Sequence, residues 1–146
     1  MGFRLRLQGG TRPSVSLFVD TSVWSLALRR DNPQGGREVN LLHRALSEGV
    51  AMFTTGLVLQ ELLQGFTGAR ASSQIIKRFA ALPLVIPDRV DHIEAAEIRN
   101  CCRRKGIQTG TIDALLAQLC LRHDLELLTT DNDFKHISKV YPLRLV

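Results

Sequence analysis

"GTIDALLAQLCLRHDLELLTTDNDF", Gly110–Phe134, fixes how the rest of the chain is read. Thr111–His123 is apolar enough for a helix sunk in a core, and Leu125–Leu128 is an apolar run of strand length. Asp131 stands just past the end of that strand. A second stretch, "LFVDTSVW" (Leu17–Trp24), repeats the pattern. Val15–Val19 is a short run rich in β formers, and Asp20 follows it directly. Thr21 or Ser22 can then cap a helix running to about Arg30.

The segments between them keep the alternation. "DNPQGG" (Asp31–Gly36) is a loop by composition. Val39–Ser47 has helical spacing and ends near Gly49, and Val50–Phe53 is a second strand. Thr54 or Thr55 can cap a helix over Gly56–Gln64, and another helix runs from about Ala71 to Leu82. "LPLVIP" (Leu82–Pro87) is a third strand, with edge character given by two prolines. Asp88–Lys105 is an amphipathic helix stopped by Gly106. Past Phe134 a short helix leads to a last strand at Leu143–Val146. Strands alternating with helices indicate an α/β domain built on a parallel sheet. A length of 146 residues fits one domain. Residues 15–146 are taken as that domain. Residues 1–14 are a loose basic extension, or residues upstream of the true start.

Composition excludes several classes. Hydrophobic residues make up 45% and charged ones 23%, as in ordinary soluble globules. No stretch approaches the ~18 consecutive apolar residues of a membrane span, and the N-terminus lacks the apolar region of a secretory signal. Three cysteines cannot pair completely, and their spacing matches no zinc site. A reducing cytoplasm is therefore expected. The net charge of +5 suits a polyanionic partner such as nucleic acid. Candidate phosphate contacts are Arg29 and Arg30 at the end of the first helix and Arg103, Arg104 and Lys105 ("RRK"). Each can equally be a solvated helix end, where cations complement the dipole.

The acids carry the functional signal. In open parallel sheets, ligands gather outside the carboxyl ends of the strands. Asp20 and Asp131 sit at two such ends, though an aspartate after a strand is also a routine helix cap. Asp113 lies in the first turn of its helix, where the dipole alone would favour an acid. Glu61, in "GLVLQELLQGF", falls about 60° outside the apolar arc of its helix. It is either a snorkelling surface residue or one aimed into a cleft. If these acids converge, each like-charged pair at ~4 Å costs about 4 kcal/mol at an effective dielectric near 20. They would then take up protons or hold a metal. With oxygen ligands only, that metal is hard, Mg²⁺ or Mn²⁺, and it suits phosphate chemistry.

"FVDTSVW", "LVLQELLQG" and "GTIDALLAQLCLRHDLELLTTDNDF", in this order, resemble PIN-domain ribonucleases, and more narrowly the VapC-type toxins of toxin–antitoxin pairs. The likeness runs from about Val15 to Val146. It implies a Rossmann-like α/β/α sandwich around a parallel sheet of strand order 3-2-1-4-5, which sets the first and fourth strands side by side. It implies metal-dependent endonucleolytic cleavage of RNA by activated water, with Mg²⁺ or Mn²⁺. The acidic set of the family maps onto Asp20, Glu61, Asp113 and Asp131, with Asp133 as an auxiliary ligand. Ser22 and Thr129 match hydroxyls that support the metal-binding acids. The resemblance further implies a homodimer bound by a cognate VapB-type antitoxin. Two departures are visible: Thr130 stands where many members have a basic residue, and residues 1–14 precede the usual start.

Other readings use the same acids. A phosphate-accepting receiver domain would need an acidic pair after the first strand, where Asp20 is followed by Thr21. A dehalogenase-type phosphatase would need Asp-x-Asp there, and Ser22 holds the second position. A non-catalytic PIN-type RNA-binding module would be expected to have lost one of the acids, and none is missing.

Overall fold

The computed structural model describes residues 15–29 and 36–146. The basic extension 1–14, Arg30 and most of the Asp31–Gly36 loop fall outside the described residues. The central strand is β1 (Ser16–Val19), whose Leu17, Phe18 and Val19 are wholly buried. A strand covered on both faces needs an unbroken apolar run rather than alternation, and this one has it. β2 (Ala51–Phe53) lies on one side of β1 and β3 (Glu126–Leu128) on the other, both parallel to it. Phe18 is in register with Phe53 and Leu127, so β3 ends level with β1 and β2 one residue before it.

The expected outer strands are present only as single parallel bridges, Thr54 to Leu84 beside β2 and Leu127 to Leu145 beside β3. The amide of Val85 donates to the Thr54 carbonyl at 2.7 Å, and the Thr54 amide donates to the Pro83 carbonyl at 3.1 Å. Pro83 and Pro87 have no amide hydrogen to extend that ladder, and Pro142 limits the other edge in the same way. The spatial order of the five segments is nonetheless 3-2-1-4-5.

Helices α1 (Thr21–Leu28), α2 (Gly36–Ser47), α3 (Gly56–Gly65), α4 (Ala69–Phe79), α5 (Arg89–Arg104), α6 (Thr111–Arg122) and α7 (Asp133–Ser138) flank the sheet. α1 packs on α2 and α3, α3 on α4, α5 along α6, and α6 against α7. Trp24 of α1 meets Phe79 of α4 edge to face at 5.0 Å between ring centroids. α6 buries Ala114, Leu115, Leu116, Ala117, Leu119 and Cys120, the pattern of a helix apolar nearly all round. Gly106, at φ +75°, ends α5 in the left-handed region that glycine enters without strain.

One buried acid is structural. Asp91, fully buried in α5, forms a reciprocal capping box with Asp88 and accepts from Arg122 Nη1 of α6 at 2.6 Å. Burial pushes its carboxyl up, but the Asp88 amide, Gln118 and Arg122 outweigh that and hold it below the usual range. Asp91 thereby clips α5 to α6, which carries Asp113. Among the described residues no helix is long and apolar enough to cross a membrane.

Candidate active site

The three acids nearest the strand ends arise from local geometry. β1 ends at Val19, and the Asp20 amide donates to the Leu128 carbonyl at 2.9 Å, tying the exits of β1 and β3 together. Asp20 occupies the N-cap position of α1, yet its side chain caps nothing. Its Oδ2 instead accepts from Ser22 Oγ at 2.8 Å and Thr129 Oγ1 at 2.9 Å. Each hydroxyl has one proton, spent on Asp20, so the 3.4 Å approach between the two hydroxyls is not a further bond. Both oxygens also accept: Ser22 Oγ from the Thr130 amide at 3.1 Å, Thr129 Oγ1 from the Asp131 amide at 3.0 Å. The network fixes the Asp20 carboxylate and the start of the Asp131 turn as one unit. Asp131 Oδ1 in turn accepts from the Asp133 amide at 2.9 Å.

This differs from the expected capping of α1 by Thr21 or Ser22. The helix starts at Thr21, whose buried hydroxyl caps nothing and faces Glu61 without completing a well-formed hydrogen bond, and Ser22 serves the carboxylate. At α3 the expectation holds, since Thr55 Oγ1 accepts from the Val58 amide at 3.3 Å.

Asp20, Glu61, Asp113 and Asp131 line one open cleft of about 400 Å³, with Thr21 and Ser22 on its wall. Carboxylate oxygens of Asp113, Asp131 and Asp133 can all lie within 4.8 Å of one another. Asp133 is therefore part of the acidic group. Burial and crowding together disfavour the charged forms of these acids. Burial pushes the Asp113 carboxyl up to about 6, with the charges of Asp131, Asp20, Asp133 and Glu61 adding to it. A helix dipole acting alone would lower it, so the first-turn position of Asp113 does not explain its environment. Burial, then the charge of Asp20, also raises Glu61, while the Thr21 hydroxyl works the other way.

The basic candidates separate. Arg103 lines a second cleft, shared with Asp133, that adjoins the acidic one. Arg104 does not face it, because it pairs with Glu97 at 2.9 Å on the outer surface. Lys105 is the exposed C-cap of α5 and Arg29 the exposed C-cap of α1; neither lines an acidic or adjoining cleft. Two cations were not singled out from the sequence. Arg99 lines the second cleft with Arg103, and their i, i+4 spacing was the available signal. Lys135 of α7 lines a third cleft with Thr130 and Asp131, so a cation stands near the position where Thr130 replaces the basic residue of many relatives.

The sequence model of the PIN domain matches residues 17–140. The chain belongs to the PIN-domain family. This PIN domain is 28% identical over 130 residues to the ribonuclease VapC11 of Mycobacterium tuberculosis, covering 88% of this chain and 96% of that one. Its fold matches VapBC2 from Rickettsia felis, solved bound to a promoter DNA fragment, with a TM-score of 0.68 at 19% identity over 90% of this chain and 98% of that chain. It also matches VapC20 of Mycobacterium tuberculosis, a sarcin–ricin loop cleaving toxin, with a TM-score of 0.63 at 20% identity over 82% and 92% of the two chains. At those identities the likeness is one of fold. The PIN architecture explains why the exits of β1 and β3 adjoin and why the acids at them face one cleft.

Proposed function

We propose that this PIN domain, residues 15–146, is the toxin endoribonuclease of a toxin–antitoxin pair. It hydrolyses RNA phosphodiester bonds at the cleft of Asp20, Glu61, Asp113 and Asp131. The observation that carries this reading is the meeting of these four acids from separate elements in one cleft, where burial and then their mutual charge raise the Asp113 carboxyl to about 6. Crowded carboxylates are stable at neutral pH only with protons or a cation between them.

The donor set fits a hard divalent cation, Mg²⁺ or Mn²⁺, because the cleft offers oxygen ligands with no histidine or cysteine on its walls. Asp20, Asp113 and Asp131 would hold it, with Glu61 and Asp133 completing the set. When bound, the cation supplies Lewis acidity and neutralises phosphoryl charge. The protein's own work is positioning. Ser22 and Thr129 hold Asp20 Oδ2 and leave Oδ1 without a protein donor among the described residues. Such outer contacts orient ligands and tune them. Glu61, with its raised carboxyl, is suited to take the proton from the attacking water.

The VapBC complexes among the solved relatives support a VapB-type antitoxin as partner, and the homodimer implied by the family resemblance is part of this proposal. Free cysteines, two of them buried, fit a reducing cytoplasm. The test is to map RNA 5′ ends in cells after brief expression of the chain, beside Asp20→Asn. New ends at defined sites with the native chain alone are expected. Identical end profiles from the two would overturn the reading.

A further inference from the structure

The cleft next to the acidic centre has the opposite electrostatic character at its far end. It holds about 560 Å³ between α5 and the Ile107–Gly110 approach to α6, within the range of about 300–1,000 Å³ typical of small-ligand sites. Arg99 and Arg103 stand one turn apart on its α5 wall. Arg99 Nε donates to the Thr109 carbonyl at 2.9 Å, which aims the guanidinium while leaving both Nη groups available. Neither Arg99 nor Arg103 has an acidic partner within ion-pair distance among the described residues. Arg104 and Arg122, on the neighbouring surfaces, are each neutralised by acids.

Two further features point the same way. Thr109 lines this cleft, is only 6% exposed, and its hydroxyl has no hydrogen-bond partner in the protein. A buried hydroxyl without a partner is costly. Gly110 leaves the start of α6 without a side-chain cap, and uncapped first-turn amides favour an anion. The one acid on the wall is Asp133, which belongs to the catalytic group. Asp133, on the wall of the arginine cleft, lies with a carboxylate oxygen within 4.8 Å of those of Asp113 and Asp131 in the acidic one, so acids stand at one end and paired arginines at the other.

We propose that the Arg99–Arg103 cleft is a subsite for the phosphate that neighbours the scissile one in an RNA strand laid across the acidic centre. The arginines take the phosphate oxygens as a two-sided clamp, and Thr109 and Gln108 lie within the same cleft to meet the attached nucleotide. This extends the endoribonuclease reading and rests on it for the identity of the polymer. The cation-rich end counters the repulsion that an acidic centre exerts on incoming phosphates, and it sets which bond of the strand reaches the carboxylates.

The test measures binding apart from cutting. In the full chain carrying Asp20→Asn, the affinity for a short fluorescein-labelled single-stranded RNA is followed by anisotropy across a salt series in EDTA. Arg103→Gln removes an exposed, unpaired side chain and leaves the fold intact. Arg99→Gln with Arg103→Gln removes the clamp. Arg78→Gln, on α4 and lining none of these clefts, removes the same charge elsewhere. Arg103→Gln is expected to weaken binding about tenfold, the double variant further. Losing one phosphate contact lowers the salt slope by about 0.7. Arg78→Gln is expected to change neither. Equal losses in Arg78→Gln and Arg103→Gln, or unchanged binding in the double variant, would overturn the subsite. The endoribonuclease reading is scored separately, by cutting with Asp20 intact: native chain that binds RNA through the arginines yet never cuts it would remove that reading and leave the clamp.

Discussion

Asp113→Asn should make the metal-free protein more stable while abolishing its activity. Folding moves the Asp113 carboxyl from 3.8 to about 6, roughly two pH units. At about 1.4 kcal/mol per unit the charged form would cost about 3 kcal/mol. The group is half-buried, so solvent screening reduces this to about 1–2 kcal/mol. The sign follows from a folded value above the unfolded one. The penalty is absent below 3.8, grows between 3.8 and about 6, and is complete above. Asparagine carries no charge, so in EDTA at pH 7.5 it should raise the melting temperature by about 4 °C. At pH 5 the gain should fall to about half. Saturating Mn²⁺ should reverse the order, because ligand at a hundredfold excess over Kd adds about 2.7 kcal/mol to the protein that binds it. Thermal or urea unfolding at the two pH values, with and without Mn²⁺, reads all of this. A destabilised Asp113→Asn protein, or a gain that ignores pH, would refute the burial and crowding that raise this carboxyl.

Other perturbations have equally definite outcomes. Asp20→Asn should abolish RNA cutting with the melting temperature within a few degrees of the native value, measured by gel assay and circular dichroism. Thr129→Val should lower Mn²⁺ affinity and cleavage by about 10–100-fold by freeing the Asp20 carboxylate, whereas Thr130→Val, which removes only an exposed hydroxyl, should leave both near native. Asp91→Ala should cost about 2 kcal/mol in urea unfolding at neutral pH, from the lost cap and the lost α5–α6 tie. Because Asp91 is held below its unfolded value, its contribution exists above the unfolded value and disappears as pH falls through the folded one. The difference between native and Asp91→Ala protein should therefore shrink in acid.

Much of the site was legible because it rests on strand ends. An apolar run that stops at Asp20 and another that stops near Asp131 mark the exits of β1 and β3, and parallel neighbours bring those exits together. Glu61, at the rim of its helical arc, does turn into the cleft. The hydroxyls were harder to place. Thr21, Ser22 and Thr129 have the composition of caps, and only the approach of β3 to β1 shows that Ser22 and Thr129 converge on one carboxylate oxygen. The basic cluster "RRK" divides for a reason of helical phase. Successive residues diverge by about 100°, so Arg103 enters a cleft, Arg104 turns to Glu97, and the partner of Arg103 is Arg99, one turn back. Asp91 gave a local sign in its spacing from Asp88, but its bond to Arg122 joins positions far apart in the chain. The Leu82–Pro87 strand shrank to a single bridge between the prolines that had marked it as an edge, and the last strand to one bridge at Leu145.

Calorimetric titration of Mn²⁺ into the native chain, Asp20→Asn, Asp113→Asn and Asp131→Asn tests most directly whether acids from separate elements hold one cation. Binding by the native chain, and a loss of at least about tenfold for each substitution, is the outcome this site requires. Native affinity retained in all three variants would contradict it.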